Sequence, residues 1–273
     1  MPNSRLRIGH WTELKTTEFA ALSAETVAIL PVAAVEQHGP HLPICVDACI
    51  NESLLELALA KAHDLSVFLL PMQAIGKSNE HLGFAGTLTL SADTVVRLWT
   101  EIGESVRRSG VRRMLIFNSH GGQPQVADIV ARDLRVRLEM FVATVSWWQL
   151  GGLQRYFSEN ELRNGIHGGA VETSLMLHFR PDLVSMDLAA NFVSLGEALE
   201  KECRFLRPEG QGVGFGWQAQ DLNDRGVCGD ATQADASLGA KIAEEVSDNL
   251  LQLLREVARY PLARVRRRDP LQM

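Results

Sequence analysis

A carboxylate and an imidazole two residues apart, Glu36 and His38, stand just beyond an apolar run. Their loop is stiffened by two prolines (Glu36-Gln37-His38-Gly39-Pro40-His41-Leu42-Pro43), and Asp47 follows at the head of a helical stretch. Residues i and i+2 of an extended chain point to the same side, so Glu36 and His38 can address one point in space. The loop can fold Asp47 back onto that point. Carboxylate plus imidazole, with no soft thiolate, is a donor set that suits Zn²⁺ or Mn²⁺. The alternative is a polar loop whose Asp47 only caps a helix.

Two further concentrations repeat the arrangement. Asn118-Ser119-His120-Gly121-Gly122-Gln123 follows another apolar run and leads into a helix. Its paired glycines let the backbone pass close to a ligand, and His120 would project over the same sheet edge. A phosphate cradle is the competing reading. It lacks the Lys-Ser/Thr of a P-loop and the third glycine of a dinucleotide fingerprint. In His167-Gly168-Gly169-Ala170-Val171-Glu172-Thr173-Ser174, Glu172 falls in an otherwise apolar helical stretch. A carboxylate there is costly unless paired or metal-bound; an outward-facing helix position is the alternative. Glu36, His38, Asp47, His120 and Glu172 supply three carboxylates and two histidines. That inventory suits a two-metal hydrolytic site with one bridging carboxylate and a water shared between the ions. His167 is left over as the proton shuttle, because imidazole changes charge near neutral pH.

These residues need a scaffold that delivers their loops to one edge. Residues 26–35 (TVAILPVAAV) read as a buried strand, 47–62 as a helix, 66–70 as a second strand and 86–90 as an extended segment. Ser91 is placed to cap a helix that Gly110 ends. Residues 114–117 and 141–145 read as strands around a helix with Pro124 near its start. Val126, Ile129, Val130, Leu134 and Leu138 form the apolar face of that helix. A helix over about 169–179 ends before Pro181, and a last one presents Leu238, Ile242, Val246, Leu250, Leu253, Leu254 and Val257. Between them, the Gly-rich stretch beginning at 210 reads as a flap or as a plain surface loop. Strands alternating with helices predict an α/β fold with a parallel sheet and a ligand site at its carboxyl edge. No repeat or linker divides the chain, so 1–273 reads as one domain with a core over about 8–260 and a basic, solvated tail at 264–268.

Composition narrows the partners. With 46% hydrophobic and 22% charged residues the chain is not of the disordered class. Lys and Arg number 27 against 33 Asp and Glu, a net charge of −6. This removes the electrostatic basis for a general nucleic-acid or anionic-membrane binder. No apolar run approaches the roughly 18 residues of a membrane span, and residues 1–11 lack the apolar segment of a signal peptide. Cys45, Cys49, Cys203 and Cys228 show no CxxC spacing and make no disulfide framework. A cytoplasmic protein acting on a small molecule is the expectation.

Read whole, LPVAAVEQHGPHLPICVDACINE resembles the opening signature of the creatininase family of metal-dependent amidohydrolases. FNSHGGQ resembles its second signature and HGGAVETS its third. Asn79-Glu80-His81 leading to Gly86-Thr87, and Gly226-Val227-Cys228-Gly229-Asp230, also match. The resemblance implies a three-layer α/β/α sandwich around a mainly parallel sheet, commonly assembled as a hexamer. It also implies a dinuclear site of the Zn or Mn type, which Fe could also fill. Glu36, His38, Asp47 and His120 match metal ligands, with Asp47 as the bridge. Glu172 matches the carboxylate that completes the site, and His167 the histidine near the scissile bond. The implied reaction is attack of a metal-bridging hydroxide on a cyclic or linear amide, breaking a non-peptide C–N bond. Trp147, Trp148, His81 and Gly121 are the expected pocket lining, with core or subunit interface as the alternative for the tryptophans. In creatininase itself an aromatic residue and a metal-binding glutamate follow the second-motif histidine, where this chain has Gly121 and Gly122. The Gly-Gly form looks more like the formamide deformylases, a peptide-maturation peptidase and a hydrolase that opens a cyclic keto-sugar. A catalytically idle small-molecule-binding scaffold is the rival of another class.

Overall fold

The computed structural model describes residues 7–209 and 213–267. Residues 1–6, the first three residues of the Gly-rich stretch (210–212) and Arg268 of the basic tail lie outside the described residues. Five parallel strands form the central sheet: β1 (Ile8–His10), β2 (Val27–Val32), β3 (Val67–Leu69), β4 (Arg113–Asn118) and β5 (Phe141–Ser146), in the order β1-β3-β2-β4-β5. The helices are α1 (Val46–Ala60), α2 (Ala92–Arg108), α3 (Pro124–Leu138), α4 (Glu159–Asn164), α5 (Ala170–Phe179), α6 (Leu195–Glu202), α7 (Ala219–Leu222) and α8 (Ala236–Arg259). Among the described residues no helix is long and apolar enough to cross a membrane.

Alternation along β2 and β4 divides the core in two. Val27, Ile29, Leu115 and Phe117 face one layer with residues of α1, α5 and α8. Ala28, Leu30, Val32, Met114 and Ile116 face the other with α2 and α3. The architecture is the expected three-layer α/β/α sandwich. Its handedness follows from a single rule. The crossover from β2 to β3 moves one way across the sheet and the crossover from β3 to β4 moves the other way. Right-handed connections therefore put α1 on one face and α2 on the opposite one. The reversal happens at β2, the position where open α/β sheets leave a crevice.

Three details depart from the sequence reading. Ile129, expected on the buried face of α3, is 55% exposed. The inner positions go to Ala127 and Ala131, whose small side chains let the helix approach the sheet. Residues 86–90 do not join a strand; Leu88 makes an isolated antiparallel bridge to Val35. Of the Gly-rich stretch, the end at 226–230 is no flap, because Val227 and Cys228 are buried and Cys228 bridges to His167.

Helix α5 is held against α8 by a close approach at Gly239. A Cβ there would stand 2.6 Å from the carbonyl carbon of Ser174 and overlap its oxygen. Both atoms are backbone, so no rotamer change relieves the overlap. Gly239→Ala is expected to lower stability by about 1–3 kcal/mol, because the clash exceeds the helix-propensity gain of about 1 kcal/mol. Denaturant midpoints at constant slope would measure it, and an unchanged or raised midpoint would contradict the packing.

Candidate metal centre

Two neighbouring strands deliver the site. Val32 ends β2, Asn118 ends β4, and the two are register partners. The chain leaving β2 carries Glu36 and His38, and the chain leaving β4 carries His120. Asn51 of α1 ties both ends together, its amide donating to the carbonyls of Val32 (3.1 Å) and Phe117 (3.0 Å). Asp47 lies four residues earlier on the same helix face. Asn118 steadies the second loop, accepting from the His120 N–H at 3.1 Å and donating to its carbonyl at 2.8 Å.

The five expected residues converge. His120 Nδ1 is 3.1 Å from Glu36 Oε2 and 3.3 Å from Asp47 Oδ2. His38 Nε2 is 3.3 Å from Asp47 Oδ1, 3.8 Å from Glu172 Oε2 and 4.0 Å from Glu36 Oε1. Asp47 thus offers one oxygen to each imidazole. Glu172 enters in the first turn of α5 and accepts the Gly168 N–H at 2.6 Å. Its side chain keeps 18% exposure, whereas Glu36, His38, Asp47 and His120 are buried. Among the described residues three sets of donors are compact enough for a cation: Glu36 with Asp47 and His120, His38 with His167 and Glu172, and Glu36 with His81 and His167.

The residues fit divalent ions on their own chemistry. His38 donates through Nδ1 to the Glu36 carbonyl at 3.1 Å, which leaves its Nε2 to face Asp47 and Glu172. That nitrogen and Asp47 Oδ2 are buried without a hydrogen-bond partner, a costly state unless a cation satisfies them. The electrostatics agree. Burial pushes the His38 imidazole down, but Asp47, Glu172 and Glu36 outweigh it and raise it to about 9. Burial likewise raises Asp47, yet His120 and His38 bring it to about 2. At Glu172 burial prevails over His38, and the carboxyl rises to about 7. A field that draws a proton onto a buried imidazole also attracts a dication.

The surroundings hold residues that the sequence reading did not single out. Glu80 Oε1 lies 3.3 Å from His120 Nε2, and its other oxygen pairs with Lys77 at 2.8 Å. His120 Nε2 also donates to the Lys77 carbonyl at 2.9 Å, which leaves Nδ1 to face Glu36 and Asp47. An outer carboxylate of this kind fixes ring orientation and tautomer. The Ser78 hydroxyl donates to Glu36 Oε2. Both residues belong to a loop without periodicity; the Asn79-Glu80-His81 match touches Glu80 alone, and Ser78 carries no signal in the sequence. Gly122 makes room for this arrangement: a Cβ there would overlap the Glu80 carboxylate and stand 2.5 Å from His120 Nε2.

Of the expected pocket lining, His81 is buried beside Glu36, its Nε2 3.7 Å from Oε1. Gly121 is exposed next to His120. The tryptophans go elsewhere. Trp147 sits in the apolar layer with α1, α5 and α8, and Trp148 packs on that layer, edge to face with Trp147 at 5.8 Å. The alternation that buries Val145 carries Trp147 to the same side. Trp147 is a core residue and Trp148 is partly buried against it, the core reading that stood as the alternative to pocket lining.

Comparison with known proteins points one way. A family model for creatininase, described as creatinine amidohydrolase, matches residues 12–254. The chain is 30% identical over 246 residues to the mycofactocin precursor peptide peptidase of Mycobacterium ulcerans (strain Agy99), covering 87% of this chain and 88% of that one. It is 32% identical over 191 residues to the creatinine amidohydrolase of Pseudomonas putida, covering 63% and 72%. Its fold is like that of a solved manganese creatininase, with TM-score 0.73 and 23% identity over 92% of this chain and 98% of the other.

Proposed function

The chain belongs to the creatininase family, and from that premise we propose that it is a metal-dependent hydrolase that opens the C–N bond of an amide. The observation that carries the reading is the pair of orphaned, buried donors, His38 Nε2 and Asp47 Oδ2, facing a ring of carboxylates. Glu36, Asp47 and His120 would hold one ion, and His38, Asp47 and Glu172 the other. Three carboxylates offset most of the charge of two dications, and imidazole with carboxylate favours Zn²⁺ or Mn²⁺. Bound there, the ions supply Lewis acidity toward the carbonyl and a water of lowered pKa. His167, with Nδ1 3.6 Å from Glu36 Oε1, stands where it can move a proton. Water's oxygen joins the carbonyl carbon, the C–N bond breaks, and the proton that water gives up reaches the departing nitrogen through His167.

The substrate we favour is a small cyclic or linear amide, creatinine being disfavoured by Gly121 and Gly122. A second reading, cleavage of a short peptide, is favoured by the 30% identical peptidase relative. The test is turnover of cyclic amides, formamides, inososes and short peptides by protein loaded with Zn²⁺ or Mn²⁺, beside a chelated control. Hydrolysis of an amide by the loaded protein, absent after chelation, is the expected result. Equal turnover with and without chelator, or turnover of inososes alone, would overturn the amide reading.

A further inference from the structure

Two histidines outside the five-residue ligand set face the same oxygen. His81 Nε2 is 3.7 Å and His167 Nδ1 is 3.6 Å from Glu36 Oε1, and the ring centroids are 4.2 Å apart. Distance alone leaves both as possible ligands, since Glu36, His81 and His167 form a cation-sized set. The hydrogen bonds behind the rings decide the matter.

Gln37 lies at the back of both. Its amide is oriented by backbone groups: Oε1 accepts the Gly39 N–H at 2.9 Å, and Nε2 donates to the Gly226 carbonyl at 2.6 Å. Turning the amide over would set oxygen against oxygen and donor against donor. Nε2 has one hydrogen left, and His81 Nδ1 is 2.8 Å away. That ring nitrogen must be the bare acceptor, so the His81 proton is on Nε2, the atom facing Glu36. At His167 the order reverses. Its Nε2 is 2.6 Å from the Gln37 backbone carbonyl, which can only accept, so the proton is there and Nδ1 faces the site. The 3.4 Å approach of the Gln37 amide nitrogen to His167 Nε2 joins two donors whose hydrogens are committed elsewhere.

We propose that Gln37 locks His81 and His167 in the same Nε2–H tautomer but turned opposite ways toward the site, making His81 an N–H donor to the substrate carbonyl oxygen rather than a metal ligand, and His167 the proton acceptor. This rests on the amide-hydrolase reading above. A nitrogen that carries a proton cannot ligate, so the set with His81 drops out, which leaves one ion to Glu36, Asp47 and His120 and the other to His38, Asp47 and Glu172. A fixed donor aimed at a developing oxyanion, beside a fixed acceptor, is what hydrolysis of an amide requires. Gly226 belongs to the device. Its φ is +72°, and a Cβ there would stand 2.7 Å from Gln37 Oε1 and 2.8 Å from Nε2, expelling the amide.

Neutron diffraction from deuterium-exchanged crystals of the wild-type protein reads the tautomers directly. Deuterium on Nε2 of both rings, with none on His81 Nδ1, is the expected map. Deuterium on His81 Nδ1, or a cation on its Nε2, overturns the proposal. Variants test the role. In metal-loaded protein, His81→Leu is expected to lower kcat by ~10²–10³-fold, the scale of one lost oxyanion donor. KM should change little and both ions should stay bound. His81→Gln, which restores an amide N–H, should recover part of the rate. Loss of an ion from His81→Leu, or an undiminished kcat, sinks the assignment. A wild-type protein that binds no metal or turns over no amide would sink the hydrolase reading instead, while the neutron map still tests the tautomers.

Discussion

His120→Ala is expected to abolish amide hydrolysis, by ~10³-fold or more, the upper end of the loss when one preorganised polar group is removed. The ring is the only imidazole placed against both Glu36 Oε2 and Asp47 Oδ2 among the described residues. Without it those two carboxylates confront each other with one donor fewer for the ion between them. The fold should survive, because His120 sits in a loop beyond β4 and its ring contributes nothing to either apolar layer. Elemental analysis should therefore find less than two ions per chain in protein that still gives the native circular dichroism spectrum. Wild-type turnover from such protein would refute the assignment of His120.

Gly122→Ala is the second large effect, and it acts without touching a candidate ligand's own atoms by substitution. The new methyl would occupy the volume of the Glu80 carboxylate, so Glu80 must leave and His120 loses its outer support. Removing such a partner typically weakens metal affinity by ~10–100-fold, which a competition titration against a chelator would measure. Glu80→Gln should cost a similar factor. The double variant should cost less than the sum of the two, because both break the Glu80–His120 contact, although the methyl also crowds the His120 ring. Additive losses would show that Gly122 matters for another reason. The same crowding explains why grafting a glutamate at 122, as in creatininase, is not expected to yield a creatinine hydrolase: Glu80 already fills that space.

The parts legible from sequence are those written locally. Central strands buried on both faces are continuous apolar runs, so β2 and β4 stand out. Their loops then place Glu36, His38 and His120 at one edge. Three-residue β1 carries no such pattern and is visible only through its pairing with β3. On α3 the sequence favours bulky Ile129 for the inner face, while the close approach of helix to sheet selects Ala127 and Ala131. The roles of Glu80, Ser78 and Gln37 were not legible for a different reason. The contacts that tie them to the site span 40 to nearly 190 positions, as in the bonds from Ser78 to Glu36 and from Gln37 to Gly226. No local periodicity encodes such contacts.

The close approach of α5 to α8 has a consequence for how the protein comes into being. Glu172 reaches His38 only when α5 is seated, and that seat includes Gly239 of the last long helix. A growing polypeptide that has released β2 and β4 from the ribosome therefore still lacks a complete cage. On the proposed reading, tight capture of cations would wait for nearly the whole chain to emerge, and ions so captured would stabilise the finished fold alone. Metal uptake during synthesis would serve as a timer of completion, silent for truncated chains that stop before α8.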